Sequence, residues 1–175
     1  MTAQKGTHEF SSTQSRNIEK IVKSLIFSTI KSWGGKWKLK KEIPFSDIFT
    51  SNNISFQKNG KSTVLKPDGG MLYYNNKPVA LFEVKYQKAR NNACERVFKY
   101  IPIIEHLNIE KKNLFTFFYG SGFSENHKGH ICGQTGATVL SMQNWGATVF
   151  TNLDLPVLEN NLKLKLQLLR QEHEA

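Results

Sequence analysis

The feature that most restricts the fold is an almost continuously apolar segment, Val-Ala-Leu-Phe-Glu-Val-Lys-Tyr, at residues 79–86. A turn-forming sequence, Asn-Asn-Lys-Pro, precedes it at residues 75–78, and a shorter apolar stretch precedes that turn at residues 71–74. Two such stretches joined by a turn predict a β-hairpin. A strand that is apolar almost throughout is typical of a sheet interior, so the rest of the chain should fold around this hairpin.

Two charged side chains stand near the end of the second strand. Glu83 and Lys85 are two residues apart, so they project from the same face of that strand. Charges at the edge of a core cost free energy unless something pairs with them or uses them. Asp68 is followed by Gly69 and Gly70, and a turn there can return its carboxylate to the same face. The sequence therefore predicts that two acids and one lysine meet at the strand end.

A pair of carboxylates can hold a hard divalent cation, and a lysine beside them can act on a water or a phosphate. Asp68, Glu83 and Lys85 thus indicate a metal-dependent phosphodiester hydrolase. Each part also has a structural explanation, because Glu-x-Lys is usually a solvated strand edge and Pro-Asp-Gly-Gly is usually only a turn. The hypothesis depends on their combination. It predicts that alanine in place of Asp68 or Glu83 abolishes cleavage and spares folding.

Net charge indicates the class of partner. The 175 residues carry a formal charge of +10, which suits a polyanion, with nucleic acid expected first and an anionic membrane surface second. No apolar segment is long enough to span a bilayer, and residues 1–13 lack the apolar centre of a signal peptide. Cys94 and Cys132 are too few for a disulfide scaffold and are expected as free thiols. These observations predict a cytoplasmic protein without a membrane partner.

Helical and strand-like patterns predict an α/β protein with a mixed central β-sheet flanked by helices. Residues 1–12 are expected to form a flexible arm and residues 13–175 a single domain. Apolar spacing predicts a first helix over residues 13–33, ended by Gly34-Gly35. The other predicted elements are a strand at 36–40, a loop with short extended pieces at 42–62, a strand at 63–65, a helix from residue 93 that Pro102 kinks or restarts, a strand at 114–119, a polar loop at 123–136, a helix at 138–144, a strand at 147–151 and a helix at 156–172.

The order of these motifs resembles the PD-(D/E)xK nuclease superfamily. Pro-Asp at residues 67–68 and Glu-Val-Lys at residues 83–85 have the order and approximate spacing of its cleavage site. Asn-Ala-Cys-Glu-Arg follows at residues 92–96, as in the type II restriction endonucleases of the EcoRI and MunI kind. The strand that ends in Gly-Ser-Gly-Phe at residues 120–123 is also similar to theirs. The resemblance covers roughly residues 66–123.

This resemblance implies a restriction-endonuclease-like core and a cleavage mechanism. Asp68, Glu83 and the backbone carbonyl of Val84 would bind Mg²⁺, which neutralises the scissile phosphate and the leaving oxygen. Lys85 would orient the attacking water and stabilise the transition state. The expected activity is that of a Mg²⁺-dependent, sequence-specific type II deoxyribonuclease.

The segment after the second hairpin strand is the predicted DNA reader. Asn92 can pair with adenine, Arg96 with guanine or phosphate, and Glu95 can accept from a base amino group or hold Arg96. The other residues of this segment predicted to contact DNA are Lys88, Arg90, Asn91 and Ala93. The resemblance implies double-stranded DNA with a palindrome that contains AATT, a homodimer to read it, and a companion DNA methyltransferase of the same specificity. An ordinary helix surface is the simpler explanation of Glu95 and Arg96 taken alone.

Four further alternatives stay open at this point. Glu19 on the first helix can supply an additional acid to the metal site, although a solvated helix face is the simpler interpretation. His127, His130 and Cys132 have partly zinc-like spacing but lack a fourth ligand nearby. The nuclease core would also suit a structure-selective or repair nuclease, and the positive charge alone would suit a non-catalytic DNA-binding protein.

Overall fold

The computed structural model describes residues 7–51, 54–86, 94–119, 133–151 and 155–175. The α-helices are α1 (Thr7–Lys31), α2 (Ile101–His106), α3 (Gly133–Trp145) and α4 (Leu155–Glu174). The strands are β1 (Trp37–Lys40), β2 (Ile43–Pro44), β3 (Gln57–Lys58), β4 (Lys61–Ser62), β5 (Val64–Leu65), β6 (Gly70–Tyr74), β7 (Lys77–Tyr86), β8 (Leu114–Tyr119) and β9 (Thr148–Thr151). Short 3-10 helices cover Phe45–Asp47, Cys94–Tyr100 and Lys111–Asn113.

The predicted hairpin lies inside a five-stranded sheet with the order β1-β6-β7-β8-β9. The pairs β1–β6 and β6–β7 are antiparallel, whereas β7–β8 and β8–β9 are parallel. This confirms the mixed sheet predicted from the sequence. The hairpin turn is shorter than predicted, because Asn75 and Asn76 both adopt positive φ values of 48° and 63°. Two such residues make the tight turn that suits the twist of a hairpin, so β7 already begins at Lys77.

Two hydrophobic cores cover the two faces of the sheet. The first lies under α1 and α4, and Phe82 stacks on Phe115 within it at a centroid distance of 4.9 Å. The second lies under α2, α3 and the 3-10 helix Cys94–Tyr100, and it includes Tyr100 and Met142. Because side chains alternate along a strand, Phe82 and Val84 of β7 enter the first core, and Glu83 lies on the face of the second.

Several element boundaries differ from the predictions. α1 begins at Thr7, so it includes residues 7–12 that were expected in the arm. The chain after residue 93 forms a 3-10 helix before α2 begins at Ile101, and Pro102 lies in the first turn of α2. A proline fits there because the first turn leaves its N–H unpaired, which confirms the predicted restart. The polar loop expected up to residue 136 was wrong at its end, since α3 begins at Gly133.

The strand β8 spans the residues predicted for it, and all of its side chains are buried. β1 is also confirmed, with Trp37 buried and Lys38 and Lys40 exposed. None of the described helices combines the length and apolar character needed to cross a membrane.

Candidate functional site

The chain before β6 runs directly against the second half of β7. The Gly69 N–H donates to the Phe82 carbonyl at 2.9 Å, and the Asp68 N–H donates to Glu83 Oε2 at 2.8 Å. Only glycine permits this approach, because a Cβ on Gly69 would lie 2.5 Å from the Phe82 Cβ. Gly70 has a φ of +91°, a conformation that residues with a Cβ rarely adopt. The two glycines after Asp68 therefore bring its carboxylate to β7.

This close approach gives a stability prediction for Gly69→Ala. The added methyl overlaps Phe82, so the free energy of unfolding should fall by about 1–3 kcal/mol, as in other overpacked cores. Gly35→Ala is the matched control because a Cβ at Gly35 meets nothing within 4 Å, and its effect should stay within about 0.5 kcal/mol. Urea unfolding followed by tryptophan fluorescence measures both variants. Equal stability of the two would contradict the proposed packing constraint.

The three predicted catalytic side chains meet at the end of β7. Lys85 Nζ donates to Asp68 Oδ2 at 3.0 Å and also to Glu83 Oε1. The other oxygen of Glu83, Oε2, accepts hydrogen bonds from the Asp68 N–H and from the Tyr100 hydroxyl, each at 2.8 Å. The Glu83 side chain is only 2% exposed, against 14% for Lys85 and 32% for Asp68. The site is therefore buried at Glu83 and open towards solvent at Asp68.

Burial and mutual charge set the protonation of this cluster. Burial raises the pKa of Glu83 above its ordinary value, the Lys85 ammonium lowers it, and the Asp68 carboxylate raises it again. Burial by itself lowers the pKa of Lys85, but the Glu83 and Asp68 carboxylates outweigh it and hold that pKa above the usual value. Burial, followed by the Glu83 carboxylate, raises the pKa of Tyr100. Lys85 is thus an ammonium and Tyr100 a neutral donor at neutral pH.

The donor set fits a magnesium ion. The Asp68 and Glu83 carboxylates already share one cation, the Lys85 ammonium, and Mg²⁺ commonly takes one or two carboxylates together with waters and phosphate oxygens. Ladder pairing between β6 and β7 ends at Phe82, whose carbonyl points towards Gly69. Backbone carbonyls two residues apart on a strand point the same way. The Val84 carbonyl therefore points to the same edge of β7 as the Phe82 carbonyl, which is the edge along which Asp68 lies.

No group of three or more His, Cys, Asp or Glu side chains in the described part of the chain is placed to hold a metal ion. Among the described residues, the candidate site therefore has two carboxylates for a metal ion, those of Asp68 and Glu83. Glu19 forms an ion pair with Lys23 on α1, and no described contact joins it to Asp68 or Glu83.

The site lies at the edge where parallel strands end. β7, β8 and β9 all finish at this edge, and residues 87–93, 120–132 and 152–154 follow those strand ends directly. Ligands of open α/β sheets bind at the carboxyl ends of strands.

A cleft of about 800 Å³ between α1 and α4, with Trp33 and Glu174 in its wall, lies towards the other end of the sheet. Glu174 accepts from Trp37, which pairs with Tyr74 at the hairpin turn.

The predicted DNA-reading residues fall only partly within the described structure. Arg96 is exposed on the 3-10 helix Cys94–Tyr100, which also includes Glu95. The other five lie outside the described residues: Lys88, Arg90, Asn91, Asn92 and Ala93. His127, His130 and Cys132, the candidate zinc ligands, lie outside them as well.

Sequence reasoning missed two polar residues at the site. Tyr100 looked like one apolar position of a helix, yet its hydroxyl reaches Glu83. Thr116 pairs with Glu83 across β7 and β8, and its buried hydroxyl has no hydrogen-bond partner among the described residues. The only available signal for Tyr100 was that buried tyrosines usually find a partner for the hydroxyl, which does not say which partner.

Comparison of the chain with profiles of known protein families, with curated proteins and with solved structures finds no match. The motif resemblance to PD-(D/E)xK nucleases therefore stays a prediction.

Proposed function

We propose that the chain is a Mg²⁺-dependent, sequence-specific endonuclease of double-stranded DNA, with a restriction-endonuclease-like core. The observation that carries this proposal is the contact of Asp68 and Glu83, from separate segments of the chain, with the same Lys85 ammonium. Two acids and a lysine at an open strand end suit hydrolysis of a phosphodiester. The motif order around residues 66–96 supports the same reaction class.

The chain's own groups would act in distinct ways. Asp68, Glu83 and the Val84 carbonyl would hold the metal, which when bound neutralises charge on the scissile phosphate and the leaving oxygen. Lys85, whose ammonium contacts both carboxylates, would orient the attacking water and stabilise charge on the phosphate. Asp68, the most exposed of the three, lies on the side from which a DNA strand can approach.

Positive charge beside the site favours a DNA partner. β1 carries the exposed Lys38 and Lys40, followed by the exposed Lys41. The end of β1 lies next to Gly70, since a Cβ added there would be 2.9 Å from the Lys40 carbonyl. Gly70 is two residues from Asp68 in the chain. With a chain charge of +10, the lysines at this strand end, Lys40 and Lys41, would contact phosphates, whereas the Lys38 ammonium contacts the hairpin turn. A palindromic target containing AATT, a homodimer and a companion methyltransferase remain parts of the proposal.

Metal removal tests the proposed reaction directly. Purified protein with unmethylated plasmid DNA should give discrete fragments in Mg²⁺ and none in excess chelator, because the acids alone leave the phosphate charge unneutralised. Sequencing of the fragment ends should find AATT at each site. Discrete ends without AATT would rule out the proposed target sequence but not the nuclease activity. A plasmid that stays intact at every Mg²⁺ concentration would rule out the proposed sequence-specific nuclease.

The same experiment, extended to branched and single-stranded DNA and to a gel-retardation assay, separates the two rival functions. A structure-selective or repair nuclease with this site would give a smear of products or would cut only damaged, branched or single-stranded DNA. A non-catalytic DNA-binding protein would retard DNA in a salt-dependent manner without cutting it.

A further inference from the structure

Glu83 uses its two carboxylate oxygens differently. Oε2 accepts two hydrogen bonds, from the Asp68 N–H and from the Tyr100 hydroxyl, both at 2.8 Å. Oε1 instead contacts the Lys85 ammonium, the cation that it shares with the Asp68 side chain. One oxygen is therefore fixed by neutral donors of the protein, and the other faces the position of positive charge.

Tyr100 has the properties of a rigid support for Oε2. It is fully buried at the end of the 3-10 helix Cys94–Tyr100, in the second core with Val97 and Ile104. It also immediately precedes α2, whose first turn contains Pro102. The phenol and the Asp68 N–H reach this oxygen from different parts of the chain, the 3-10 helix and the segment before β6. Both hydrogen bonds end on one oxygen, so turning the carboxylate plane out of this orientation would break both, and only a half-turn that exchanges the two equivalent oxygens would restore them.

We propose that Tyr100 is a positioning residue that orients Glu83, so that Oε2 stays bound within the protein and Oε1 serves as the metal ligand. This inference rests on the proposed metal-dependent function. The hydroxyl does not touch the reacting phosphate; it acts through Glu83. Groups that hold a metal ligand in place typically contribute about 10- to 100-fold to metal affinity or activity.

Tyr100→Phe tests the assignment because it removes one hydroxyl and keeps the buried ring. The ring contact with Lys99, whose Nζ lies 4.7 Å from the centroid, is retained as well. The Mg²⁺ concentration that gives half the maximal cleavage rate should rise about tenfold or more. KM for DNA should not change, because Tyr100 is fully buried and its hydroxyl binds Glu83. A purely structural hydroxyl would lower stability and leave the metal dependence alone.

Tyr119→Phe is the matched control. Tyr119 is a buried tyrosine of the neighbouring strand β8, and its hydroxyl has no hydrogen-bond partner among the described residues. Burial raises its pKa to about 12, so it is also a neutral phenol. The same chemical change at Tyr119 should leave both the Mg²⁺ dependence and KM at wild-type values.

A metal-binding measurement without DNA separates this inference from the proposed activity. Mn²⁺ binding, followed by electron paramagnetic resonance, should be about tenfold weaker or more in Tyr100→Phe than in the wild type. If the wild type binds Mn²⁺ and cuts DNA but Tyr100→Phe binds it equally well, the role of Tyr100 is wrong and the nuclease stands. If the wild type binds Mn²⁺ but cuts no DNA, weaker binding by Tyr100→Phe supports the role without the nuclease. A wild type that binds no Mn²⁺ without DNA overturns the role of Tyr100, and the plasmid assay then decides the nuclease separately.

Discussion

Asp68→Asn should lower the rate of Mg²⁺-dependent DNA cleavage by about a hundred- to a thousandfold, the loss typical of removing one preorganised electrostatic group. The amide keeps the shape of the side chain and the backbone N–H that donates to Glu83 at 2.8 Å. It removes the negative charge that would bind the metal. Cleavage should be measured as initial rates on a plasmid substrate at saturating Mg²⁺.

Folding and DNA binding should survive this substitution. The Asp68 side chain is 32% exposed and its bond to Lys85 is 3.0 Å long, so its loss should cost about 1 kcal/mol or less. DNA affinity in chelator should be unchanged or higher, because one negative charge disappears from the surface. Asp47→Asn is the control, since Asp47 is exposed on the 3-10 helix Phe45–Asp47. If the cleavage rate stayed within tenfold of that of the wild type, the catalytic role assigned to Asp68 would be wrong.

Glu83→Ala should have the largest effect on stability, a loss of about 3–5 kcal/mol in the free energy of unfolding, as expected when one partner of a buried ion pair is removed. The substitution leaves the Tyr100 hydroxyl and the Asp68 N–H without their common acceptor. Urea unfolding measures the loss. The burial of Glu83 thus changes the expectation from sequence alone, in which alanine at Glu83 spared folding.

Two controls make this prediction specific. Glu110→Ala breaks an exposed ion pair with Lys112, whose N–O distance is 3.1 Å, and should change stability by less than about 1 kcal/mol. The double variant Glu83→Leu/Lys85→Met replaces the buried pair by apolar groups and should be more stable than Glu83→Ala. If Glu83→Ala were as stable as Glu110→Ala, the buried pairing described for Glu83 would be wrong.

Local sequence spacing predicted the parts of the site that lie within one strand or turn. Glu83 and Lys85 share a face because strand periodicity is two, and their side chains do contact each other. The two glycines after Asp68 indicated a sharp turn, and the structure adds the reasons: Gly69 lies against Phe82, and Gly70 has a positive φ. Elements with strong periodicity were predicted well, whereas the start of α3 at Gly133 was missed because its first turn is polar and contains glycine.

The sequence by itself determined the central hairpin, the buried strand β8 and the face of β7 that carries the charges, because each depends on interactions between near neighbours. Tertiary structure alone decided the strand order, the burial of Glu83 and its hydrogen bond from Tyr100. The strand order comes from pairing between distant segments, and the other two features arise where the 3-10 helix packs on the sheet. Side chains that meet through such packing leave no periodic signal in the chain. The orientation of the Glu83 carboxylate is therefore a property of the folded core.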